Sequence, residues 1–366
     1  MHRIVEVGSY PPPHAGNSVH LERLVERLVQ EGHPVTVIDP YAVQTCRFGP
    51  ANGDGVPAQP DRRCGWLRLG RCLATHSYGS RVHFHMSAGK RFYNIARLLL
   101  WLTSGARQRI LTIHSGSFLR EFARLSPRRA RGAIRAIRAF DDVICVNEEQ
   151  RRFLRDQVAS RLHGIPAFLP CPPRPNPEIP DEAEAVLRDC DAVILTSGSG
   201  EPIYDFATVL RAVESAQRRT DLRLGLIVAT YKCWDAQYWD GIEKALAASP
   251  IRVAVTRDMR PDEFSLLASR ARVYVRGSLT DGDAMAVREA AAAGAQILAT
   301  DAVRRPDGAA LFPTGDSENL ADLLIRALAD RDLGRLADGS TNDNYVAIRA
   351  VYGLPQPCRR ELAPVH

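Results

Sequence analysis

The sequence lacks any run of about 18 apolar residues, which argues against a transmembrane helix. Its N-terminal stretch, MHRIVEVGSYPPP, has too short an apolar run for a signal peptide and is typical of a first β-strand. No short-period repeat is visible. What remains is the composition of a globular protein, with 45% apolar and 25% charged residues. A chain of 366 residues suits two domains of about 150–180 residues each.

The sequence also lacks a CxxC pair, although it contains eight cysteines. They are scattered along the chain, at Cys46, Cys64, Cys72, Cys145, Cys171, Cys190, Cys233 and Cys358. Several lie in apolar strands, as in DDVICVN. This pattern predicts buried thiols in a reducing compartment and speaks against a zinc site or a disulfide framework.

Acidic residues are nearly missing from one segment. Residues 81–140 contain 13 Lys and Arg but a single acid, Glu121, whereas the whole chain has a net charge of only +6. So dense a basic block favours a polyanion, a phosphate-rich surface or an anionic membrane as its partner. Aromatic residues are few and no recognition module is visible, so we expect no nucleic-acid partner.

The first 170 residues alternate β-branched runs with helical patterns. A strand at Arg3–Val7, an amphipathic helix at Asn17–Gln30 and a strand at Val35–Ile38 predict a β-α-β unit and hence a parallel sheet. Residues 40–80 interrupt this alternation, because they are rich in Gly, Pro, Arg and Cys with only a short helix near Trp66–Cys72. We expect them to form a functional loop.

A stretch with six prolines, Leu169–Pro180, is typical of an interdomain linker. After it the alternation of strands and helices resumes. The predicted elements include helices at Ala236–Ala247 and Ser317–Ala329 and a strand at Val273–Arg276. The sequence therefore predicts an α/β protein with two Rossmann-like doubly wound domains, at 1–170 and 183–341, joined by a linker at 171–182. Residues 342–366 are predicted to form a C-terminal tail with a last helix at Tyr345–Val351. Ligands commonly bind in the cleft between two such domains.

The first candidate motif is Val7–His20, VGSYPPPHAGNSVH, between the first strand and the first helix. Gly8 and Gly16 would let the backbone approach a ligand closely, and the prolines would stiffen the loop. The N-terminus of the following helix suits a phosphate. The motif is not GxGxxG, which disfavours a dinucleotide site. An ordinary βα turn is the alternative.

The second candidate motif is Leu111–Phe118, LTIHSGSF, in which a strand delivers His114 to its C-terminal end. A histidine at that edge of an open sheet can bind a sugar hydroxyl or stabilise a developing charge. The alternative is a structural histidine. His83 and His85 share one strand face, a spacing that can bind metal, but the sequence offers no third ligand and we expect no metal site.

The third candidate motif is Ser278–Asp301, a strand end followed by an acidic turn and a helix. Asp281 and Glu289 are eight residues apart, slightly over two helical turns, so both can face one ligand. Two such carboxylates suit paired sugar hydroxyls, and the helix N-terminus at Asp283, Ala284 and Met285 suits a diphosphate. The alternative is an N-cap acid with a solvated glutamate.

Together these motifs resemble family 4 glycosyltransferases, which have the GT-B fold. The stretch VGSYPPPHAGNSVHLERLVERLVQEGHPVTVID resembles the N-terminal signature of that family, and LTIHSG resembles its strand-end histidine motif. The stretch DGDAMAVREAAAAGAQILATDAVRRPDGAALFPTGDSENLADLL resembles its C-terminal E-x7-E region. The resemblance spans almost the whole chain, apart from residues 40–80 and the tail.

The resemblance implies a role for each matching residue. Glu289 would hold the ribose hydroxyls of the nucleotide, and Asp281, in the place of the first Glu, would lie near the donor sugar. Gly16 and its loop, with Gly8, would face the donor phosphates, and His114 would face the transferred sugar. The reaction implied is transfer with retention of configuration, without a metal, and with a phosphate oxygen of the donor taking the acceptor proton.

The sequence departs from the family in two ways. Asp281 is one methylene shorter than the usual Glu. The Arg and Lys that usually neutralise the diphosphate are missing from TSGSGEPIYDF, the first stretch of the second domain. Lys232, Arg276 and Arg288 are the cations available instead, with Lys232 the first choice because it follows a strand. Without such a cation the leaving group would lose its electrostatic stabilisation.

The basic block contains a helix rich in Leu with basic flanks, GKRFYNIARLLLWLTSGARQR. Such a segment can lie in a membrane interface, and each surface cation adds about 1 kcal/mol of attraction to anionic lipid. We therefore expect residues 90–138 to bind an anionic membrane surface. The alternative is a buried core helix with solvated arginines.

The function predicted from the sequence is a retaining hexosyltransferase that needs no cofactor beyond its nucleotide-sugar co-substrate. Its acceptor would be a glycan or a lipid-linked glycan in cell-envelope or exopolysaccharide synthesis, an expectation by analogy alone. We expect it in the cytoplasm, or peripherally at the inner face of the plasma membrane. Two alternatives stay open: a nucleotide-binding or interaction protein without catalysis, and a Rossmann oxidoreductase.

Overall fold

The computed structural model describes residues 3–40, 42, 44–48, 66–86, 90–171 and 176–355. The described residues form two compact units. One lies within Met1–Tyr10, His20–Leu169 and Asp343–His366, and the other within Pro11–Val19 and Pro170–Asn342. The described part of the predicted tail thus belongs to the first unit, where the sequence predicts a separate segment.

The first unit contains a seven-stranded sheet within the described residues. Its strands are β1 (Ile4–Val7), β2 (Val35–Asp39), β3 (Gln44–Phe48), β4 (Arg81–Met86), β5 (Gln108–Ile113), β6 (Asp142–Cys145) and β7 (Arg161–Gly164). They lie in the order β3-β2-β1-β4-β5-β6-β7. All neighbours are parallel except β2 and β3. Strands β1, β4 and β6 are buried along their whole length, as expected for a parallel sheet covered on both faces.

Six helices accompany these strands in the described sequence before residue 171. They are α1 (Gly16–Gln30), α2 (Trp66–Ser77), α3 (Lys90–Leu102), α4 (Phe118–Ala123), α5 (Pro127–Ile137) and α6 (Glu148–Arg155). Helix α1 buries the apolar stripe that its periodicity predicts, including Leu21, Leu24 and Leu28. Pro127 begins α5, where its missing N–H costs nothing.

The second unit contains a parallel sheet of six strands within the described residues. They are β8 (Ala192–Gly200), β9 (Leu224–Cys233), β10 (Arg252–Arg257), β11 (Val273–Arg276), β12 (Gln296–Thr300) and β13 (Ala310–Phe312). Their order is β10-β9-β8-β11-β12-β13. The helices are α7 (Asp181–Asp189), α8 (Phe206–Gln217), α9 (Ala236–Ala247), α10 (Pro261–Arg270), α11 (Met285–Ala292) and α12 (Ser317–Ala329).

These six helices cover the second sheet with two apolar cores. Side chains of α8, α9 and α12 form one core with the sheet, and side chains of α7, α10 and α11 form another. The alternating βα pattern of the sequence thus gives a doubly wound sheet in the second unit. The predicted α/β class is confirmed.

Several elements were not predicted from the sequence, namely β3, β7, α4, α7 and β13. Most of them are too short for a periodic pattern, and β7 is a partly exposed edge strand with the sequence RLHG. Helix α7 does carry a start signal, because three acids follow Pro180 in its first turn. The predicted loop at 40–80 contains β3 and α2, while residues 49–65 lie outside the described part of the chain.

A last helix, α13 (Tyr345–Val351), was predicted at the same residues. Its Ile348 and the following Tyr352 are buried in one core with residues of α1, β1 and β2. Arg349 donates a hydrogen bond from Nε to Glu31 Oε2 at 2.7 Å. Helix α13 therefore closes the core of the first unit. Across the described ranges, every helix is too short or too polar to cross a bilayer.

We expect Ile348→Ala to lower the free energy of unfolding of the first unit by about 2–5 kcal/mol, because it leaves a cavity in this core. Val346→Ala on the same helix is the matched control, since Val346 is 63% exposed and Ile348 only 2%. Val346→Ala should change the free energy of unfolding by less than about 0.5 kcal/mol. Urea unfolding measures both, and equal effects would contradict the packing of α13.

Candidate functional site

The strand order of each sheet reverses at one place. In the first sheet β1 lies between β2 and β4, and in the second β8 lies between β9 and β11. Ligands of open α/β sheets bind at the carboxyl ends of the strands beside such a reversal. Two predicted site residues lie at the ends of these strands, because Gly8 comes after β1 and Arg276 ends β11. His85, which was not predicted as a site residue, lies near the end of β4.

The two predicted glycines of the N-terminal loop have different surroundings. A Cβ on Gly8 would lie 2.9 Å from the Cβ of His85, so the absence of a side chain allows β1 to end against β4. A Cβ on Gly16, the first residue of α1, would meet no described atom within 4 Å. Close packing against His85 therefore explains why a glycine is needed at position 8. At Gly16 no described neighbour excludes a side chain, and there is open space at the N-terminus of α1.

A cluster of histidines occupies the carboxyl edge of the first sheet. His114 follows β5, is half-buried, and hydrogen-bonds through its backbone N–H to Met86 O at 3.0 Å. Its Nε2 lies 3.1 Å from Nδ1 of His85. His83 and His85 share one face of β4, as predicted, and their rings are 4.0 Å apart. His20 on α1 completes the cluster, 5.0 Å from the ring of His114.

The expectation that His83 and His85 have no further ligand nearby was wrong. Nitrogen atoms of His20, His85 and His114 all lie within 4.8 Å of one another. The same holds for the ligand atoms of Glu6, His83 and His85. No local sequence pattern indicates this, because α1, β1, β4 and β5 converge only in the fold.

Burial keeps three of these histidines neutral. Removal from water, followed by the neighbouring imidazoles, lowers the pKa of His20 to about 3. The same causes hold the pKa values of His83 and His114 well below the ordinary 6.5. At neutral pH His114 therefore has an uncharged imidazole, which suits a hydrogen bond to a hydroxyl better than the stabilisation of an anion.

In the second unit, Asp281 lies between two buried arginines. Its Oδ2 accepts from Arg276 Nε at 2.7 Å and from Arg305 Nη1 at 3.0 Å, while Oδ1 accepts from Arg276 Nη2 at 3.1 Å. Burial alone would raise the pKa of Asp281, but the two guanidinium groups outweigh it and hold the value at about 2. Both carboxylate oxygens are thus engaged in ion pairs.

The rest of the predicted acidic turn is held by a second ion pair. Arg288 Nε donates to Asp283 Oδ1 at 2.7 Å, and Arg288 Nη1 also donates to Ser340 O. Ala284 is the N-cap of α11, and Met285, its first residue, is buried. Glu289 lies half-buried on the same helix. The turn therefore places the N-terminus of α11 beside the end of β11.

Lys232 differs from the predicted arginines. It lies near the end of β9, and its Nζ is 3.6 Å from the ring centre of Trp234. Within the part of the chain that the structure describes, Lys232 has no carboxylate at ion-pair distance. Arg276, by contrast, forms an ion pair with Asp281, and Arg288 forms one with Asp283. Of the three predicted cations, Lys232 is therefore the one whose charge a described acid does not neutralise.

Sequence reasoning missed several residues of these two clusters. Arg305 binds Asp281, Thr300 O and the hydroxyl of Ser278, yet it lies in a loop with no recognisable pattern. Glu6 had a usable signal, because it is an acid in the middle of the buried strand IVEV. An acid in such a strand needs a partner. Tyr352 had no such signal in its local sequence, because its hydrogen bond to Glu6 joins residues from opposite ends of the chain.

Comparison with known proteins adds to this geometry. A scan against protein-family models and a search of the curated proteins returned no match. Among solved structures, HepE from Anabaena in complex with UDP and glucose matches with a TM-score of 0.66 and 12% identity. The alignment covers 96% of this chain and 98% of that one.

Two synthases match similarly. A UDP-forming α,α-trehalose-phosphate synthase from Burkholderia xenovorans gives a TM-score of 0.65 at 15% identity, covering 96% of this chain and 98% of that one. Sucrose-phosphate synthase from Thermosynechococcus elongatus gives a TM-score of 0.61 at 18% identity, and the alignment covers 96% of this chain and 95% of that one. The chain has the GT-B fold. At these identities the likeness shows the fold alone.

Because these three histidines are neutral in the folded protein, we expect the first unit to lose stability in acid. Their pKa values are lowered on folding, so below about pH 6.5 the unfolded chain binds protons that the folded chain excludes. As the pH is lowered below this value, the free energy of unfolding should therefore decrease by about 1.4 kcal/mol per pH unit for each histidine that stays neutral.

Urea unfolding between pH 7.5 and pH 5 measures this slope, and His20→Gln should reduce it by about one histidine's share. A free energy of unfolding that does not change over this range would contradict the neutral cluster.

Proposed function

We propose that this protein is a glycosyltransferase that moves a sugar from a nucleotide-sugar donor with retention of configuration, resembling family 4. The observation that carries the proposal is the GT-B fold, which the solved structures match over 96% of the chain, with Glu289 on the helix that follows the switch-point strand β11. The acceptor we propose is a glycan or lipid-linked glycan of the cell envelope or an exopolysaccharide.

The donor is proposed to bind at the carboxyl edge of the second sheet. The N-terminus of α11, at Ala284 and Met285, offers backbone N–H groups to a diphosphate. Glu289, four residues into the helix, would accept hydrogen bonds from the ribose hydroxyls. Structures of HepE with UDP and with UDP-glucose support a nucleoside diphosphate as the ligand class.

Lys232 is proposed as the cation that stabilises the leaving diphosphate. The developing charge needs a positive group that is not already neutralised. Arg276 and Arg305 share the charge of Asp281, and Arg288 is paired with Asp283. With Lys232 in this role the reaction needs no bound metal.

Asp281 is proposed to orient Arg276 and Arg305 as well as to approach the donor sugar. Its two oxygens already accept hydrogen bonds from both arginines, so a sugar hydroxyl would share an oxygen with one of them. This engagement also favours the second candidate function, a nucleotide-binding protein of low catalytic activity. Turnover measurements distinguish the two.

We expect the purified protein to release nucleoside diphosphate from one of the UDP-, GDP- or ADP-sugars, chosen by a thermal-shift screen. Lys232→Gln should lower kcat by about 10²-fold or more, because the leaving group loses its cation. The anomeric signal of the first sugar product, followed by proton NMR, should have the donor's configuration.

Lys244→Gln is the matched control. Lys244 is an exposed lysine on α9 that pairs with Asp240 at 2.6 Å. It should leave kcat within about twofold, as a surface pair of this kind contributes little. Nucleotide binding without any turnover would favour the non-catalytic protein, and an inverted product would contradict the retaining mechanism.

We also propose that the first unit binds an anionic membrane surface through residues 90–138. Helix α3 buries Ala96 and Leu99 but exposes Ile95, Leu98 and Trp101, which is 70% exposed. It packs against α5, whose arginines are exposed. These are Arg128, Arg129, Arg131 and Arg135. An apolar stripe beside a basic helix suits the boundary between headgroups and acyl chains. The side chains of 90–94 lie outside the description.

Co-sedimentation with vesicles containing anionic lipid should therefore fall as the salt concentration rises. Trp101→Ala should weaken binding about tenfold, because an apolar side chain no longer inserts. Trp234→Ala is the control, since Trp234 is 63% exposed but lies in the second unit. Equal binding to neutral and anionic vesicles would contradict the proposal.

A further inference from the structure

The ion pairs around Asp281 do not balance in charge. Two guanidinium groups, of Arg276 and Arg305, bind this one carboxylate. The pKa of Asp281 is held at about 2, so its carboxyl group is ionised at neutral pH, and an arginine is always protonated there. These three residues, the Asp281 triad, have two positive charges and one negative charge. Their net charge is therefore +1.

No other described residue supplies the missing negative charge. Within the described part of the chain, Asp281 is the only carboxylate at ion-pair distance from either arginine. Burial raises the pKa of the neighbouring Tyr274, so its hydroxyl stays neutral. The two arginines also donate to the carbonyl oxygens of Ser197 and Thr300, at 2.9 and 3.0 Å. These carbonyl groups satisfy hydrogen bonds but have no net charge.

Burial makes this imbalance unfavourable. The side chain of Arg276 is 9% exposed and that of Arg305 only 2%, so water screens their charges little. Burial lowers the pKa of Arg305, the carboxylate of Asp281 offsets this only in part, and the like charge of Arg276 lowers it further. A buried charge without a counter-charge is costly, which points to an anion bound at the triad.

The triad also has a hydrogen-bond donor for such an anion. Arg305 donates from Nε to Thr300 O, from Nη1 to Asp281, and from Nη2 to the hydroxyls of Ser278 and Thr300. A guanidinium group has five N–H donors, and these contacts use four. One N–H of Nη1 is thus left without an acceptor among the residues that the structure describes.

The place of the triad in the fold indicates which part of a donor would meet it. Asp281 precedes Ala284, the N-cap of α11, by three residues, a stretch that spans at most about 11 Å. The proposed function places the diphosphate at that N-terminus and the ribose at Glu289. The part of the donor that remains to lie beside Asp281 is the sugar.

We propose that the Asp281 triad binds the carboxylate of a uronic acid, so that the donor is a nucleotide-linked uronic acid. This inference rests on the proposed function and names its substrate class. The carboxylate would accept a charge-assisted hydrogen bond from Nη1 of Arg305 and bring the net charge of the site to zero. A neutral hexose would offer only a hydroxyl there and leave the positive charge uncompensated.

The diphosphate itself is the other anion that could meet this charge. In that case a free nucleoside diphosphate would depend on Arg305 as strongly as the sugar nucleotide does. A uronic acid predicts instead that Arg305 affects affinity only when the sugar has a carboxylate. The two sources of negative charge are therefore distinguished by ligands with and without the sugar.

The test is calorimetric titration of the full-length protein with UDP-glucuronate and UDP-glucose, and with GDP-mannuronate and GDP-mannose. We expect the uronate of one pair to bind about ten- to a hundredfold more tightly than its neutral hexose, as hydrogen bonds between charged groups contribute. Arg305→Gln should abolish this preference. Its affinity for UDP or GDP alone should be unchanged, which also shows that the variant is folded.

Arg304→Gln is the matched control, because Arg304 is an exposed neighbour and the change in net charge is the same. It should leave the preference for the uronate within about twofold, since solvent screens an exposed charge. A loss of preference as large as that in Arg305→Gln would contradict a role of the triad. Arg305→Lys keeps the charge and should retain a preference for the uronate.

The outcomes separate this inference from the proposed function. If neither UDP nor GDP binds, both fail. If a nucleotide binds and the uronate has no advantage over the hexose in the unaltered protein, only the inference fails, whether or not Arg305→Gln folds. An equal loss of affinity for the free nucleotide and for the uronate in Arg305→Gln would assign the charge to the diphosphate and overturn the inference.

Discussion

The structure depends on one constraint: a parallel sheet must be covered by helices on both faces. In the second unit every neighbouring pair of strands is parallel, and two apolar cores cover the two faces. Strands that all run one way end at one edge, and only that edge is left for polar chemistry. Ligands of open α/β sheets commonly bind at that edge, beside the strands where the strand order reverses.

Polar groups brought to such an edge must be satisfied within the protein, and each unit does so differently. The first surrounds the buried carboxyl group of Glu6 with His83, His85 and the hydroxyl of Tyr352, within hydrogen-bonding or ion-pair distance. The second uses ion pairs, with Asp281 between Arg276 and Arg305. Lys232 stands outside these pairs, which is why its charge is the one proposed to meet a diphosphate.

The sequence was informative where one local pattern decides the structure. Helices α9 and α12 and strand β11 have the predicted bounds, because their apolar periodicity and their end signals agree. His114 follows a strand that could be identified, so its place at the end of β5 could be predicted as well. The paired arginines of the acidic turn could not, since an ion pair between residues 276, 281 and 305 has no local signature.

Long-range contacts explain the other failures. Glu6 and Tyr352 are 346 residues apart, and their hydrogen bond forms only after α13 has packed against the first sheet. The role of Gly8 was open for a similar reason. Its sequence suggested approach to a ligand, whereas the fold places it against the Cβ of His85. A glycine in a loop signals a close approach, but the partner is known only from the structure.

The central claim is that the edge beside β11 binds a nucleotide whose ribose is held by Glu289. Calorimetric titration with a nucleoside diphosphate and with its 2′,3′-dideoxy analogue tests it most directly. The protein should prefer the ribonucleotide by about tenfold or more, as expected for hydrogen bonds to a charged group. Glu289→Ala should abolish that preference while leaving affinity for the dideoxy analogue unchanged. A preference that survives in Glu289→Ala would contradict the account.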